Sequence, residues 1–412
     1  MTTQTMTQGT LGERRYDLDW VRIGAFMLLI LYHVGMYYVT WDWHVKSPEA
    51  SHAIEPLMML SSPWRLSLLF LVSGVATGYL LDRQGVRGFF GRRSVRLLVP
   101  LLFGMAVIVP PQSYLQVVEH AGYTGSYGQF LGLYLTAYHG FCKGTDCLIL
   151  PTWNHLWFVV YLWAYTVLLY VGIRLAPRLV PGLRGFAERA FAGAGALVWP
   201  IVYLAAIQLT LARWFPPTHA LVDDWYDHAL YGAVFLLGFS LAGARAPWVA
   251  MERARWHALG AAILGWAFLC AGMGAFYSGE TFSPGLHQFG NVVYGAVQWL
   301  AIVAVLGFAR RHLNRDNAAR RYLTASVFPV YILHQTVIVA CAHALKPSHL
   351  QPGVEGLLLV LVTASASFLG YEVIRRVGML RPLFGLERNA RRPATPTKAW
   401  TPSLLAVPQD IN

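Results

Sequence analysis

Ten apolar runs of about twenty residues occupy most of this sequence, at roughly 22–42, 60–82, 97–116, 155–175, 191–212, 228–246, 256–277, 290–309, 322–344 and 354–376. A run of that length crosses a ~30 Å hydrocarbon core as a helix, which satisfies every backbone polar group within the segment. Only 13% of the residues are charged and 56% are hydrophobic, against about 25% charged in a soluble domain. The sequence therefore predicts an all-α integral membrane protein with about ten transmembrane helices. A short N-terminal tail (1–15) precedes a membrane domain (16–380). A tail rich in Arg, Pro and Thr (381–412) is expected to be disordered and cytoplasmic. Residues 1–13 are polar, and the first apolar run lacks a small-residue cleavage site, so it is expected to stay as the first helix.

Charge sets the expected orientation. Arginines crowd alternate connections: Arg14 and Arg15, then Arg83 to Arg96, Arg174 to Arg189, Arg245 to Arg255, Arg310 to Arg321 and Arg375 onward. The opposite loops hold Lys46, Lys143, Arg213 and Lys346, with Arg65 near a helix entrance. The positive-inside rule then places both termini in the cytoplasm, consistent with an even number of spans. The net charge of +12 is thus a topology signal, and no nucleic-acid role is expected.

The longest outer segment is 117–154. Its aromatic stretch Tyr127 to Tyr138 suits an interfacial or re-entrant position. Cys142 and Cys147 lie close together on the oxidising side and suggest a disulfide, whereas Cys270 and Cys341 lie inside spans as ordinary buried residues. Asp223, Asp224 and Asp227 fit solvated loop charges, with an acid–base role as the alternative.

Four constellations bear chemistry. Asp19 and Arg22 are three apart on one helix face and can pair. His33 follows eleven residues after Arg22, roughly 16 Å along the helix and half-way through the bilayer. An ionisable group there is either paired with a neighbouring helix or used, and imidazole suits proton removal near neutral pH. Arg92, Arg93 and Arg96 face together at helical spacing; they suit phosphate binding as well as topology. Asn154, His155 and Trp157 sit at the outer mouth of the fourth span, where an aromatic belt or a sugar-stacking site accounts for them equally. Tyr331 and His334 lie in the ninth span, with Pro329 loosening the backbone one turn below. His334 comes ~18 Å in from Tyr322, at the depth of His33. No P-loop, dinucleotide fingerprint or HExxH metal motif is present.

Leu18, Asp19 and Arg22 followed by His33, together with Arg93 and Arg96 as an inner Arg-x-x-Arg, resemble the opening of membrane-bound acyltransferase family 3. The stretches Asn154 to Phe158 and Tyr331 to His334 look more like its glucan biosynthesis protein C branch, succinyltransferases of periplasmic glucans. The resemblance covers about residues 14–380. It departs after His155, where many members carry a Ser-Val-Glu-Glu run and this chain reads Phe158-Val159-Val160-Tyr161; a role for that glutamate does not transfer.

The resemblance implies an inner-membrane O-acyltransferase with acyl-CoA (succinyl or acetyl) as donor, a periplasmic glucan or polysaccharide as acceptor, and no tightly bound cofactor or metal. His33 is then the expected general base, with an acyl-histidine intermediate as the less favoured variant. His334, Tyr331 and Asp19 are expected to assist, and Arg22, Arg92, Arg93 and Arg96 to hold the CoA. Asn154, His155 and Trp157 are expected to meet the acceptor. The rival reading is a proton-coupled transporter relaying through His33 and His334, which the lack of inverted repeats disfavours.

Overall fold

The computed structural model describes residues 15–143 and 146–388; the predicted N-terminal tail up to residue 14 and the C-terminal tail from 389 lie outside them. The helices, in chain order, are α1 (Tyr16–Tyr38), α2 (Glu55–Met59), α3 (Arg65–Phe103), α4 (Pro110–Ala121), α5 (Tyr127–Leu135), α6 (Trp157–Leu175), α7 (Leu179–Ala190) and α8 (Gly195–Thr210). They continue with α9 (Trp225–Asp227), α10 (Ala233–Ser240), α11 (Ala246–Tyr277), α12 (Pro284–His312), α13 (Ala318–Leu345), α14 (Pro352–Arg376) and α15 (Leu380–Leu383). Beside them stands one two-residue ladder, β1 (Cys142–Lys143) with β2 (Asp146–Cys147), whose cysteines form a disulfide. Among the described residues seven helices are long and apolar enough to cross a membrane, or eight if α7 and α8, bent by 106°, count as one span. This is a multi-pass membrane protein.

The difference from ten has two physical sources. The expected spans 60–82 and 97–116 fall largely within the helical stretch Arg65–Ile108, which counts as one candidate span although it is two arms joined at a kink. It turns back at Gly85, whose φ of 66° suits glycine. Its second arm runs antiparallel to α6: Phe90 stacks on Tyr170, Ser94 accepts from Trp163, and Gly104 meets Leu156. The expected spans 191–212 and 228–246 are helical but short. The latter is a π turn (His228–Gly232) running into α10. Its Gly238 lies against the Leu71 carbonyl, and Gly74 against that of Phe235, so the backbones of α3 and α10 touch where a Cβ would clash.

α1 and α13 run parallel and in step. Asp19 reaches Arg320, Arg22 reaches the Thr324 carbonyl, Phe26 packs on Tyr331 at 5.3 Å, and His33 meets His334. α5 packs by Phe130 and Tyr134 onto α4 in a small cluster of its own. Part of the expected disordered tail is folded: Phe384 is buried and packs edge-on against Phe103. Cys270 and Cys341 are half-buried free thiols.

Candidate active site

The geometry of α1 fixes the first half of the site. Eleven residues make about three turns, so Arg22 and His33 project from the same face, roughly 16 Å apart. His33 Nδ1 lies 2.8 Å from His334 Nε2, with the rings stacked at 5.0 Å. His334 is fully buried, and its Nδ1 donates to the Tyr331 carbonyl at 2.6 Å. A carbonyl only accepts, so His334 carries its proton on Nδ1; in the neutral ring Nε2 then accepts from His33 Nδ1. That chain of bonds leaves the lone pair of His33 on Nε2.

A third histidine joins them. His155 Nε2 donates to the Ile332 carbonyl at 3.1 Å, and its ring meets His334 edge-on at 5.4 Å. It is buried beside the central pair instead of lying at the outer mouth. Around it runs a ladder of amides that sequence reasoning missed. Gln112 donates to Thr336 at 2.6 Å and accepts from Asn154 at 3.2 Å and Gln335 at 3.1 Å. Gln335 also donates to His44 Nε2 at 2.8 Å, and His44 Nδ1 donates to Gln116 at 2.7 Å. Burial lowers the pKa of His44, in the connection after α1, against the opposing effect of the hydrogen bond it donates to Gln116. The signal was present: Gln112 and Gln335 are amides inside apolar runs.

The backbone supplies acceptors for this ladder. The π turn Gly104–Ile108 pairs Val109 N with the Gly104 carbonyl, and Gln112 N pairs with Val109. The carbonyls of Met105 and Ile108 are thereby released, and Tyr134 and Thr336 donate to them.

Several expected roles change. Asp19 forms its ion pair with Arg320, which also holds Asp316. It sits about 21 Å along α1 from His33, so it ties α1 to α13 and does not touch the histidines. The Tyr331 hydroxyl donates to the His155 carbonyl and has no proton left for an oxyanion. Trp157 is buried and stacks on His219 at 4.0 Å, so its face is not open to a sugar. Asn154 is half-buried in the amide ladder. Asp224 and Asp227 are buried, not solvated: Asp224 accepts from Tyr161 and from His219 N at 2.9 Å. Burial first, and then Asp224, pushes the Asp227 carboxyl up to about 8.

The arginines gather at the end of α1 away from His33. Arg93 Nε donates to Thr166 at 2.9 Å, and Arg22 Nη2 to the Thr324 carbonyl at 3.3 Å, while Arg22 Nε is buried without a hydrogen-bond partner. Arg96 lies within electrostatic reach of both. Arg96 and Arg92 are exposed, whereas Arg22, Arg93 and His33 are half-exposed although protein surrounds them.

Comparison with known proteins identifies the family. The family described as "Acyltransferase domain" matches residues 15–372. The chain belongs to that acyltransferase family. Among curated relatives, Glucans biosynthesis protein C of Escherichia coli O139:H28 (strain E24377A / ETEC) is 24% identical over 388 residues, covering 90% of this chain and 94% of its own. The protein of the same name from Shigella dysenteriae serotype 1 (strain Sd197) is 24% identical over 387 residues, with the same coverage. No solved structure matches. The acyltransferase match spans both the histidine centre and the inner arginines.

Proposed function

We propose that this protein is an inner-membrane O-acyltransferase that moves a short acyl group, succinyl or acetyl, from cytoplasmic acyl-CoA to a hydroxyl of an extracytoplasmic glucan. The observation that carries the reading is the His33–His334 hydrogen bond of 2.8 Å, anchored on the Tyr331 carbonyl. Membership of the acyltransferase family and relatives named for glucan biosynthesis support it. In this reading ten segments cross the bilayer, both termini are cytoplasmic, and Arg22, Arg92, Arg93 and Arg96 meet the phosphates of CoA as charge-assisted donors. The thin acyl-pantetheine arm passes along α1 to His33.

His33 Nε2 takes the proton of the acceptor hydroxyl as that oxygen attacks the thioester carbonyl carbon. The carbon–oxygen bond forms, the carbon–sulfur bond breaks, and the proton passes from His33 to the departing thiolate. His334 holds His33 in the required tautomer throughout. His155 and the Gln112 ladder hold the surrounding backbone.

Purified protein incubated with radiolabelled acyl-CoA and glucan is expected to yield labelled glycan and free CoA in equal amounts, both lost in His33→Ala. Wild-type turnover by a folded His33→Ala protein overturns the mechanism. A bonded histidine pair is also what a proton relay needs. Proton-driven uptake into vesicles without CoA dependence would favour a transporter instead.

A further inference from the structure

Arg65 begins α3, at the end of its first arm away from the Gly85 turn, and it is 3% exposed. Its situation differs from that of Arg320, the other arginine buried to this degree. Arg320 is bonded to two carboxylates, Asp19 and Asp316. Arg65 has no acidic partner among the described residues: one Nη donates to Ser61 Oγ at 3.3 Å, the guanidinium lies 3.6 Å from the centre of the Tyr32 ring, and Nε has no hydrogen-bond partner. Tyr32 also acts on it through a side-chain hydrogen bond, and Tyr231 and Tyr294 favour its charge from nearby. A cation removed from water is normally matched by an anion, because burial removes its hydration and neutral hydroxyls and ring faces replace only part of it.

Arg65 lies close to the histidine centre. Tyr32 precedes His33, and their rings are 6.1 Å apart. Arg65 and His33 are therefore no farther apart than the two separations through Tyr32 laid end to end. A short acyl chain with a terminal carboxylate is of a length that lies within that limit. From the thioester carbon to the far carboxyl carbon of a four-carbon diacid is three bonds, roughly 4 Å. The guanidinium–carboxylate bond and the acceptor oxygen between His33 and the thioester have to fall within the same limit.

Resting on the acyltransferase reading above, we propose that Arg65 binds the free carboxylate of the acyl group and so selects a dicarboxylic acyl donor over a monocarboxylic one. An acetyl or butyryl group leaves the buried cation unmatched, whereas a succinyl group neutralises it. A site built to bond a substrate group discriminates strongly against the analogue lacking it.

The test compares succinyl-CoA with butyryl-CoA, its near-isostere without the carboxylate, on full-length protein in detergent or nanodiscs. The wild type is expected to show kcat/KM for succinyl-CoA at least about 100-fold above that for butyryl-CoA. Arg65→Gln is expected to bring the ratio near one while retaining butyryl transfer, and Arg65→Lys to restore part of the preference. A wild type that prefers butyryl-CoA, or an Arg65→Gln protein that keeps the succinyl preference, overturns the assignment. Thermal stabilisation by the two thioesters is measured in parallel and needs no turnover. Stabilisation by succinyl-CoA beyond butyryl-CoA, lost in Arg65→Gln, supports the carboxylate site even if acyl transfer itself fails. Equal stabilisation in the wild type overturns it. Should Arg65→Gln not fold, the wild-type ratio and Arg65→Lys decide.

Discussion

His33 Nδ1 and His334 Nε2 are 2.8 Å apart, joining residues 301 positions distant in the chain. The bond is directional: the Tyr331 carbonyl fixes the proton of His334, and His334 in turn fixes that of His33. The nitrogen of His33 that keeps its lone pair is thus chosen by a backbone carbonyl on another helix.

This makes the side chain at position 334 testable by its hydrogen-bonding capacity. His334→Gln keeps an acceptor for His33 Nδ1, whereas His334→Ala leaves that donor buried without one. Turnover is expected to fall by about 100-fold or more in His334→Ala, in the range of general-base effects, and by less in His334→Gln. Release of free CoA, followed with a thiol reagent, measures both. Equal losses would show that His334 does not act through the tautomer.

The inner arginines are expected to act on donor binding. Arg93→Ala with Arg96→Ala should raise the KM for acyl-CoA by about 10- to 100-fold, as follows from ~1.5–3 kcal/mol for a hydrogen bond to a charged group. The acceptor KM should stay unchanged. An unaltered donor KM in the double variant removes these residues from the donor site.

Asp19→Asn is a stability variant. Arg320 is 2% exposed and keeps Asp316, so the cost is expected at about 1–3 kcal/mol and not the larger cost of an unpaired buried charge. The melting temperature should drop while kcat of the folded fraction is retained. A kcat loss at unchanged stability would return Asp19 to the chemistry.

Asp227 gives the protein a pH-dependent stability. Its carboxyl, in the outer connection before the π turn, is raised from 3.8 to about 8 by burial and Asp224. Between those values the folded chain holds a proton that the unfolded chain has released. Stability therefore falls as pH rises from about 4, and the loss is complete above about 8. Asp227→Asn is expected to flatten this slope and to raise the melting temperature at pH 8 relative to the wild type. An unchanged slope from pH 5 to 8 would show that Asp227 titrates normally.

What the sequence determined by itself is position along each helix. Rise per residue is constant, so His33 and His334 could be placed at one depth and Arg22, Arg93 and Arg96 at one end without knowledge of packing. Each of the ten apolar runs is helical, because twenty apolar residues leave the backbone no other way to pair its polar groups in lipid. The reversal between the second and third apolar runs was legible from the arginines of 83–96, whereas its position at Gly85, inside a helical stretch, needed the dihedral angle.

Only the tertiary structure decided rotation and neighbourhood. Asp19 was three residues from Arg22, yet its ion pair is with Arg320 across the α1–α13 interface; an exposed i,i+3 pair contributes about 0.2–0.5 kcal/mol, and helix packing outweighs that readily. Trp157, Asp224 and Asp227 read as surface groups by sequence position and are buried, because the outer loop folds back over α6. The meeting of His33 with His334, and the lack of a carboxylate beside Arg65, depend on which helix faces stand together. Helical periodicity gives the faces but not their partners, which are fixed by packing between segments hundreds of residues apart.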